Sequence, residues 1–199
     1  IDVGEMPDKK SPFRGATDIA FAPDGNLLVA DGYGNRRVIV FDADTGEYKR
    51  HWGAYGNKPD DTDPGPYDPS APVPQQFRSP VHAVRISNDG LVYVADRVNN
   101  RIQVFQQSGE FVTEKIIAPE TRASGSAFVV GLSPDADQEW LYLADGTNHK
   151  VWVLRRSDLE IVGEFGRGGR QVGQFLRPHG MSVDSQGNIY VGEASTGRR

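Results

Sequence analysis

Two of the four histidines occupy equivalent places in the sequence. His82 lies in SPVHAVRIS and His179 in RPHGMSVD, and each comes 14 residues before an acidic residue that follows a short apolar run, Asp96 or Glu193. Neutral imidazole is the usual nitrogen ligand of zinc, and a catalytic zinc ion takes three protein ligands and keeps one position open. Brought to one point, the two histidines would supply part of such a site.

The acidic residues belong to a repeat that is present four times. The copies are VADGYGNRRVIVFD (29–42), VADRVNNRIQVF (94–105), LADGTNHKVWVL (143–154) and VGEASTGRR (191–199). They align on Asp31, Asp96, Asp145 and Glu193, with steps of 65, 49 and 48 residues. A period of this size with several short strands favours propeller blades or another repeat array. We predict one all-β domain over 1–199, with units at about 15–55, 77–118, 124–166 and 175–199.

The longer first step comes from a segment rich in proline and aspartate, residues 57–76. It has no strand pattern, so we interpret it as a solvated loop between two units. A propeller must close to remove the edges of its sheets. The fourth copy of the repeat is incomplete, and fewer than four complete units predict missing blades, an open arc, or closure by another chain. The start at Ile1, without methionine, leads us to expect a processed or trimmed chain.

Charge and composition narrow the classes of partner. The formal net charge of -5 argues against a nucleic acid, which favours a basic face, although four arginines could form a local basic rim. They are Arg36, Arg37, Arg97 and Arg101. The sequence has no apolar run of about 18 residues, so we expect no membrane partner. It contains no cysteine, which excludes disulfides and cysteine ligands for a metal.

The repeat resembles the NHL family, with its apolar strand, Asp/Asn-Gly turn, [VIL]-Y-V-[AG]-D and N-x-[RK]-[VI]-x-V-F. The resemblance implies a β-propeller, generally of about six blades, whose inner strands line a central channel. His82 and His179 would then point to one mouth of that channel. We also expect the acidic residue of a repeat to pair with a later basic residue across the strand junction. The expected pairs are Asp31 with Arg37, Asp96 with Arg101, and Asp145 with Lys150.

The first copy has one extra residue and an aromatic side chain, Tyr33, in DGYGNRRV. This stretch resembles DGY-x-N-x-R-[VI] in the peptidyl-α-hydroxyglycine α-amidating lyases. The blade order also resembles that family: Tyr33, then His82 with ADRVNNRIQVF, then GSAFVVGLS without histidine, then His179 after proline. The resemblance implies that His82 and His179 are two of three zinc ligands, that Tyr33 is the base for the substrate hydroxyl, and that Arg97 is a charged site residue.

The implied reaction splits a C-terminal α-hydroxyglycine into a peptide amide and glyoxylate. The ligand at the channel mouth would be a peptide or another small molecule, and the location extracellular or periplasmic. A tyrosine phenolate is chemically reasonable there because a zinc cation stabilises it. The family also has a structural calcium, which adds calcium as a second candidate cofactor.

The sequence departs from the lyase pattern at several positions. The family's first zinc histidine and one catalytic arginine would lie in blades before Ile1. Arg177 stands where the family has methionine, Gly180 where it has the aspartate near calcium, and Gly34 where it has cysteine. The alternative is a non-catalytic propeller scaffold that binds a protein, peptide or carbohydrate. In that case His82 and His179 lie at the starts of strands without binding a metal, Tyr33 only lines the channel, and Arg97 is an ion-pair residue.

Overall fold

The computed structural model describes residues 13–194, and these residues form antiparallel β-sheets. The first sheet contains β1 (Ala16–Phe21), β2 (Asn26–Asp31), β3 (Arg37–Asp42) and β4 (Tyr48–Trp52). The second contains β5 (Val81–Ile86), β6 (Val92–Asp96), β7 (Arg101–Phe105) and β8 (Phe111–Ile116). The third contains β9 (Val129–Leu132), β10 (Trp140–Asp145), β11 (Lys150–Arg155) and β12 (Glu160–Phe165), and the fourth β13 (Pro178–Val183) and β14 (Ile189–Glu193).

Helix is almost absent from the described part of the chain. A short 3₁₀ turn at Ala54–Gly56 is the only helical element between residues 13 and 194. In this range no helix has the length and apolar character needed to cross a lipid bilayer. Residues 195–199, which belong to the fourth predicted unit, lie outside the described residues, as do residues 1–12.

The middle strands of the second sheet are largely apolar on both faces because this sheet lies between the first and the third. In the second sheet every residue of β6 and β7 is buried. Val130 and Leu143 of the third sheet join the same core as Ile102 of the second, so the sheets pack face to face as blades. This packing explains why the strands lack the alternation of apolar and polar residues found in sheets with one wet face.

The first strands of the four sheets lie side by side at the inner side of the blades. β1 contacts β5, β5 contacts β9, and β9 contacts β13. Among the described residues the sequence of contacts runs from β1 to β13 and is not closed by a comparable contact between β13 and β1, so the blades form an open set. The all-β propeller architecture predicted from the repeat is confirmed, and its inner strands are the elements that carry His82 and His179.

Two of the three expected ion pairs at the strand junctions are present. Arg37 Nη2 lies 3.1 Å from Asp31 Oδ2, and Arg101 Nε lies 2.8 Å from Asp96 Oδ2. All four side chains are buried, so the two charges of each pair compensate one another where water cannot solvate them. Because Arg37 and Arg101 are used in this way, they do not contribute to an exposed basic rim.

The third expected pair, Asp145 with Lys150, is wrong. Lys150 Nζ instead lies 2.7 Å from Glu164 Oε1 on the neighbouring strand. Asp145 accepts hydrogen bonds from Asn148 Nδ2 at 2.8 Å and from Trp152 Nε1 at 2.9 Å. The indole N–H takes the place that a guanidinium occupies in the other copies, and the lysine is free to turn outward.

The proline-rich segment 57–76 is irregular, as predicted, and it is anchored to the blades. Arg36 Nη1 donates to the carbonyl of Thr62 at 2.5 Å. The Tyr67 hydroxyl donates to the carbonyl of Pro119 at 2.8 Å, so the segment reaches from the first blade to the end of the second.

Candidate functional site

A β-bulge places each of the two histidines. The pairing of β5 with β6 shifts register between Val81 and Ala83, and the pairing of β13 with β14 shifts between Pro178 and Gly180. His82 and His179 are the residues at these shifts. A bulge redirects the side chain of the unpaired residue, and both imidazoles turn toward the space between the inner strands.

The structure brings the two imidazoles into direct contact. Nε2 of His82 lies 3.3 Å from Nε2 of His179, and the ring centroids are 4.6 Å apart in an edge-to-face arrangement. His82 Nδ1 lies 2.7 Å from the carbonyl oxygen of Phe128. Because a carbonyl only accepts, Nδ1 of His82 carries the proton and Nε2 keeps its lone pair, which faces His179.

The separation of the two Nε2 atoms, which also allows a hydrogen bond between the rings, would suit a zinc ion held by both histidines. Two nitrogens that each lie ~2.0–2.1 Å from one tetrahedral zinc ion are roughly 3.3 Å apart, the separation found here. The carbonyl of Phe128 would act as the outer partner that fixes the ring of a zinc-binding histidine. Within residues 13–194 no group of three histidine, cysteine, aspartate or glutamate side chains is placed to hold a metal ion.

The surroundings of the pair keep both imidazoles neutral. Burial, and then the positive charge of Arg97, lower the pKa of His82 to about 3. The pKa of His179 is also lowered, first by burial and then by Arg97 and Arg177. Neutral imidazole is the form that binds a metal.

Tyr33 and Arg97 lie beside the histidines. The ring of Tyr33 is 6.4 Å from that of His82, and Arg97 Cζ is 5.9 Å from the centre of the Tyr33 ring. The Tyr33 side chain is 54% exposed, whereas its backbone is held by Gly15, whose carbonyl accepts from Tyr33 N, and by Ser79, whose hydroxyl donates to Tyr33 O. The four residues predicted from the sequence therefore gather in one place.

A cavity of about 420 Å³ opens beside this group. Tyr33, His82 and His179 line one part of it. Asp18 and Arg85, which form an ion pair, line another. The cavity is large enough for a small ligand or for the end of a peptide.

Arg97 lies where two neighbouring blades approach so closely that one of them must contribute a glycine. In the first blade the glycine is Gly32, the residue after Asp31, because a Cβ there would lie 2.0 Å from the carbonyl oxygen of Val81 in the second blade. In the second blade this residue is Arg97, and the next blade supplies the glycine instead, because a Cβ on Gly125 would lie 2.0 Å from the Arg97 carbonyl oxygen. Gly125 also has φ of +73°, which favours glycine.

Phe128 is the site residue that sequence reasoning missed. By strand pairing it precedes Val129, which is opposite Ala144, as His82 precedes Ala83, opposite Ala95. Its ring lies 5.4 Å from His82 and 5.6 Å from His179. Counting 14 residues back from Asp145 leads to Gly131, because the stretch between the paired residues Leu132 and Leu141 is three residues longer than that between the paired residues Ile86 and Val92.

Four-stranded antiparallel sheets that pack as blades, with a site on their inner strands, are the features of a β-propeller. The NHL repeat model matches residues 13–41 and 81–105. The chain also superposes on a solved streptogramin B lyase structure with a TM-score of 0.60 and 16% identity, over 92% of this chain and 50% of that one. At this identity the likeness concerns the fold alone. The chain thus contains NHL repeats at residues 13–41 and 81–105 and has a β-propeller fold.

Within that class the chain is similar to amidating enzymes. It is 31% identical over 188 residues to peptidyl-glycine alpha-amidating monooxygenase B of Xenopus laevis, an alignment that covers 89% of this chain and 19% of that protein. It is 29% identical over 203 residues to peptidyl-alpha-hydroxyglycine alpha-amidating lyase 1 of Drosophila melanogaster, covering 94% of this chain and 35% of that protein. The chain thus spans about a fifth of the former relative and about a third of the latter.

Proposed function

We propose that this chain forms part of a zinc-dependent site that cleaves a C-terminal α-hydroxyglycine into a peptide amide and glyoxylate. The observation that carries the proposal is the 3.3 Å approach of the two Nε2 atoms from separate blades, with the Nδ1 proton of His82 held by a carbonyl. The similarity to amidating lyases supports the choice of reaction. The cavity beside the pair would be the mouth of the propeller channel.

Each site residue of this chain would have a separate role in the reaction. His82 and His179 would hold zinc through Nε2, and bound zinc supplies Lewis-acid polarisation. Tyr33 would take the hydroxyl proton of the substrate at its phenolic oxygen. The bond between the α-carbon and the amide nitrogen then breaks, a carbonyl forms at the α-carbon, and the nitrogen takes up the proton that Tyr33 returns. Arg97, beside the Tyr33 ring, would stabilise negative charge at that point.

A third zinc ligand would come from outside residues 13–194, in a protein that contains further blades or from another chain. The described residues supply two of the three ligands that a catalytic zinc ion takes. Calcium is not part of this proposal, because Gly180 offers no side-chain oxygen at the position the resemblance assigns to it. An extracellular or periplasmic location follows from the same resemblance and belongs to the proposal.

Metal content tests the proposal directly. The purified chain is incubated with zinc, dialysed and analysed for metal, beside a His82→Ala/His179→Ala double variant. We expect near-stoichiometric zinc in the wild-type chain and loss of it in the double variant. The matched control is His149→Asn, which removes a histidine outside the site and suits the φ of +61° at that residue. This variant should keep its zinc.

Zinc that stays in the double variant would show that other residues bind it. A zinc-bound wild-type chain then justifies an assay for glyoxylate release from a peptide ending in α-hydroxyglycine, with Tyr33→Phe as the variant that lacks the base. A chain that takes up no zinc under any condition would favour the alternative function, a propeller scaffold whose rim binds a peptide or another ligand without chemistry.

A further inference from the structure

One position of the inner strands carries a long charged side chain in a single blade. Strand pairing makes Ala20, Arg85, Gly131 and Ser182 equivalent, because each lies opposite the residue three places before the acidic residue of its repeat. The other three residues are small, so Arg85 is the one long side chain of these four. It lines the cavity of about 420 Å³ together with His82.

The charge of Arg85 is compensated, but its capacity for hydrogen bonds is not used up. Its Nη1 donates to Oδ2 of Asp18 and, at 2.7 Å, to the carbonyl oxygen of Val84. Within residues 13–194 its Nε and Nη2 donate to no group. The Arg85 side chain is 29% exposed, so these N–H groups are accessible to a ligand in the cavity.

Asp18 adds an acceptor next to these donors. Its bonds to Arg85 and to the backbone N–H of Val84, the latter 3.1 Å long, both use Oδ2. A carboxylate has lone pairs on both oxygens, so Oδ1 can accept a further hydrogen bond. Asp18 lines the same cavity. The ion pair therefore offers donors and an acceptor to a ligand and carries no net charge.

This combination matches one residue of an extended peptide. In an antiparallel ladder the N–H and the C=O of a hydrogen-bonded residue point to the same side and bond to the same partner. Arg85 can donate to such a C=O while Asp18 accepts from the N–H. An anionic group fits less well, because the carboxylate of Asp18 offsets the guanidinium charge and repels a second anion.

The distance from the histidines determines how long such a ligand must be. Arg85 comes three residues after His82 on β5. A strand rises about 3.3 Å per residue, so the two positions lie roughly 10 Å apart along the strand. An extended peptide covers this distance with about three residues.

We propose that Asp18 and Arg85 form a peptide-binding subsite, and that Arg85 makes the cavity select peptides long enough to reach it. The subsite would hold the N–H and C=O of the residue about three places before the reacting end of the ligand. This deepens the proposed function, on which it rests for placing that reacting end at His82 and His179.

Binding of unreactive peptide amides tests the subsite without any activity. N-acetyl-trialanine amide and N-acetyl-alanine amide are titrated into the zinc-free 199-residue chain and followed by ligand-observed NMR. We expect the longer peptide to bind at least about tenfold more tightly, because it gains hydrogen bonds to two charged groups. Arg85→Met should remove this preference and leave binding of the shorter peptide unchanged.

Arg155→Met is the matched control. Arg155 is also paired with carboxylates, those of Asp158 and Glu160, but it does not line this cavity, so the variant should keep the wild-type preference. A second comparison needs no variant and decides even if Arg85→Met does not fold. N-methylation of the first alanine of the longer peptide removes the N–H that Asp18 accepts and should weaken binding to the wild-type chain by about tenfold.

The proposal is overturned if the two peptides bind equally well, if neither binds, if N-methylation has no effect, or if Arg85→Met keeps the preference. A chain that takes up zinc without preferring the longer peptide would refute the subsite and leave the zinc site standing. A chain with a preference that depends on Arg85 but without zinc uptake would refute the zinc site, and the subsite would then belong to a binding scaffold.

Discussion

His82 combines three constraints that rarely meet in a residue with only a structural role. Its ring is buried, its Nδ1 is committed to the carbonyl of Phe128, and its Nε2 faces another imidazole. A surface histidine would meet none of them. The imidazole is therefore neutral, with its Nε2 lone pair facing His179, and under the proposed function this is the form that would bind zinc.

The neutral state of His82 should make stability depend on pH. Its pKa is about 3 in the folded chain, against an ordinary value of 6.5, so the unfolded chain takes up the proton first. The free energy of unfolding should then fall as pH falls from about 6.5 toward 3, by up to ~1.4 kcal/mol per pH unit from this residue. Urea unfolding at pH 7 and pH 5, with a chelator present, measures it.

His82→Gln is the comparison for this prediction, since glutamine carries an amide donor and does not titrate. The variant should lose less stability than the wild type between the two pH values. Equal losses in both chains would show that His82 does not have a lowered pKa in the folded state.

The strand junctions show how far the repeat determines its own contacts. The sequence predicted Asp31–Arg37 and Asp96–Arg101 because the spacing places the pairs across a turn, and both exist. It failed for Asp145, because Trp152, which is paired with Leu143 and lies two residues beyond Lys150 on β11, reaches the carboxylate with its N–H, and only the folded sheet shows this. The spacing of residues in the repeat predicts which side chains are neighbours across a strand pair. It does not predict which of these neighbours bonds to the carboxylate.

The two junctions should differ in their contribution to stability. Arg101→Met removes a fully buried partner of Asp96 and should lower the free energy of unfolding by about 3–5 kcal/mol, because an unpaired charge remains buried. Lys150→Met is the matched control at the equivalent position. Its partner Glu164 is largely exposed, so the loss should be below about 1 kcal/mol.

Urea unfolding of the two variants at neutral pH makes the comparison. Losses of the same size would mean that the buried aspartate of the second blade is not held by Arg101 in the way the structure shows.

At the scale of the whole molecule, the site depends on how closely the blades approach. The sequence predicted the blades, the inner strands and the equivalence of His82 with His179, because repeats preserve position within a unit. It did not predict the direct contact of the two imidazoles or the role of Phe128. The contact depends on a bulge in each of two blades and on the packing between blades, and the place of Phe128 depends on the length of the β9–β10 turn, none of which the spacing of the repeat specifies.

Gly32 is the position where this approach can be tested. A Cβ there would lie 2.0 Å from the carbonyl oxygen of Val81, the residue before His82. Gly32→Ala must therefore push the first blade away from the second and shift the strand that carries the histidine. We expect the free energy of unfolding to fall by ~1–3 kcal/mol or more, measured by urea unfolding.

Gly163→Ala is the matched control, because nothing lies within 4 Å of a Cβ at Gly163, and it should be close to neutral. Zinc uptake adds a readout that stability alone does not give. If spacing between blades aligns His82 with His179, Gly32→Ala should bind zinc more weakly even under conditions where it remains folded. Unchanged zinc uptake in a folded Gly32→Ala chain would mean that the bulge in β5 alone directs His82, independently of how closely the first blade packs.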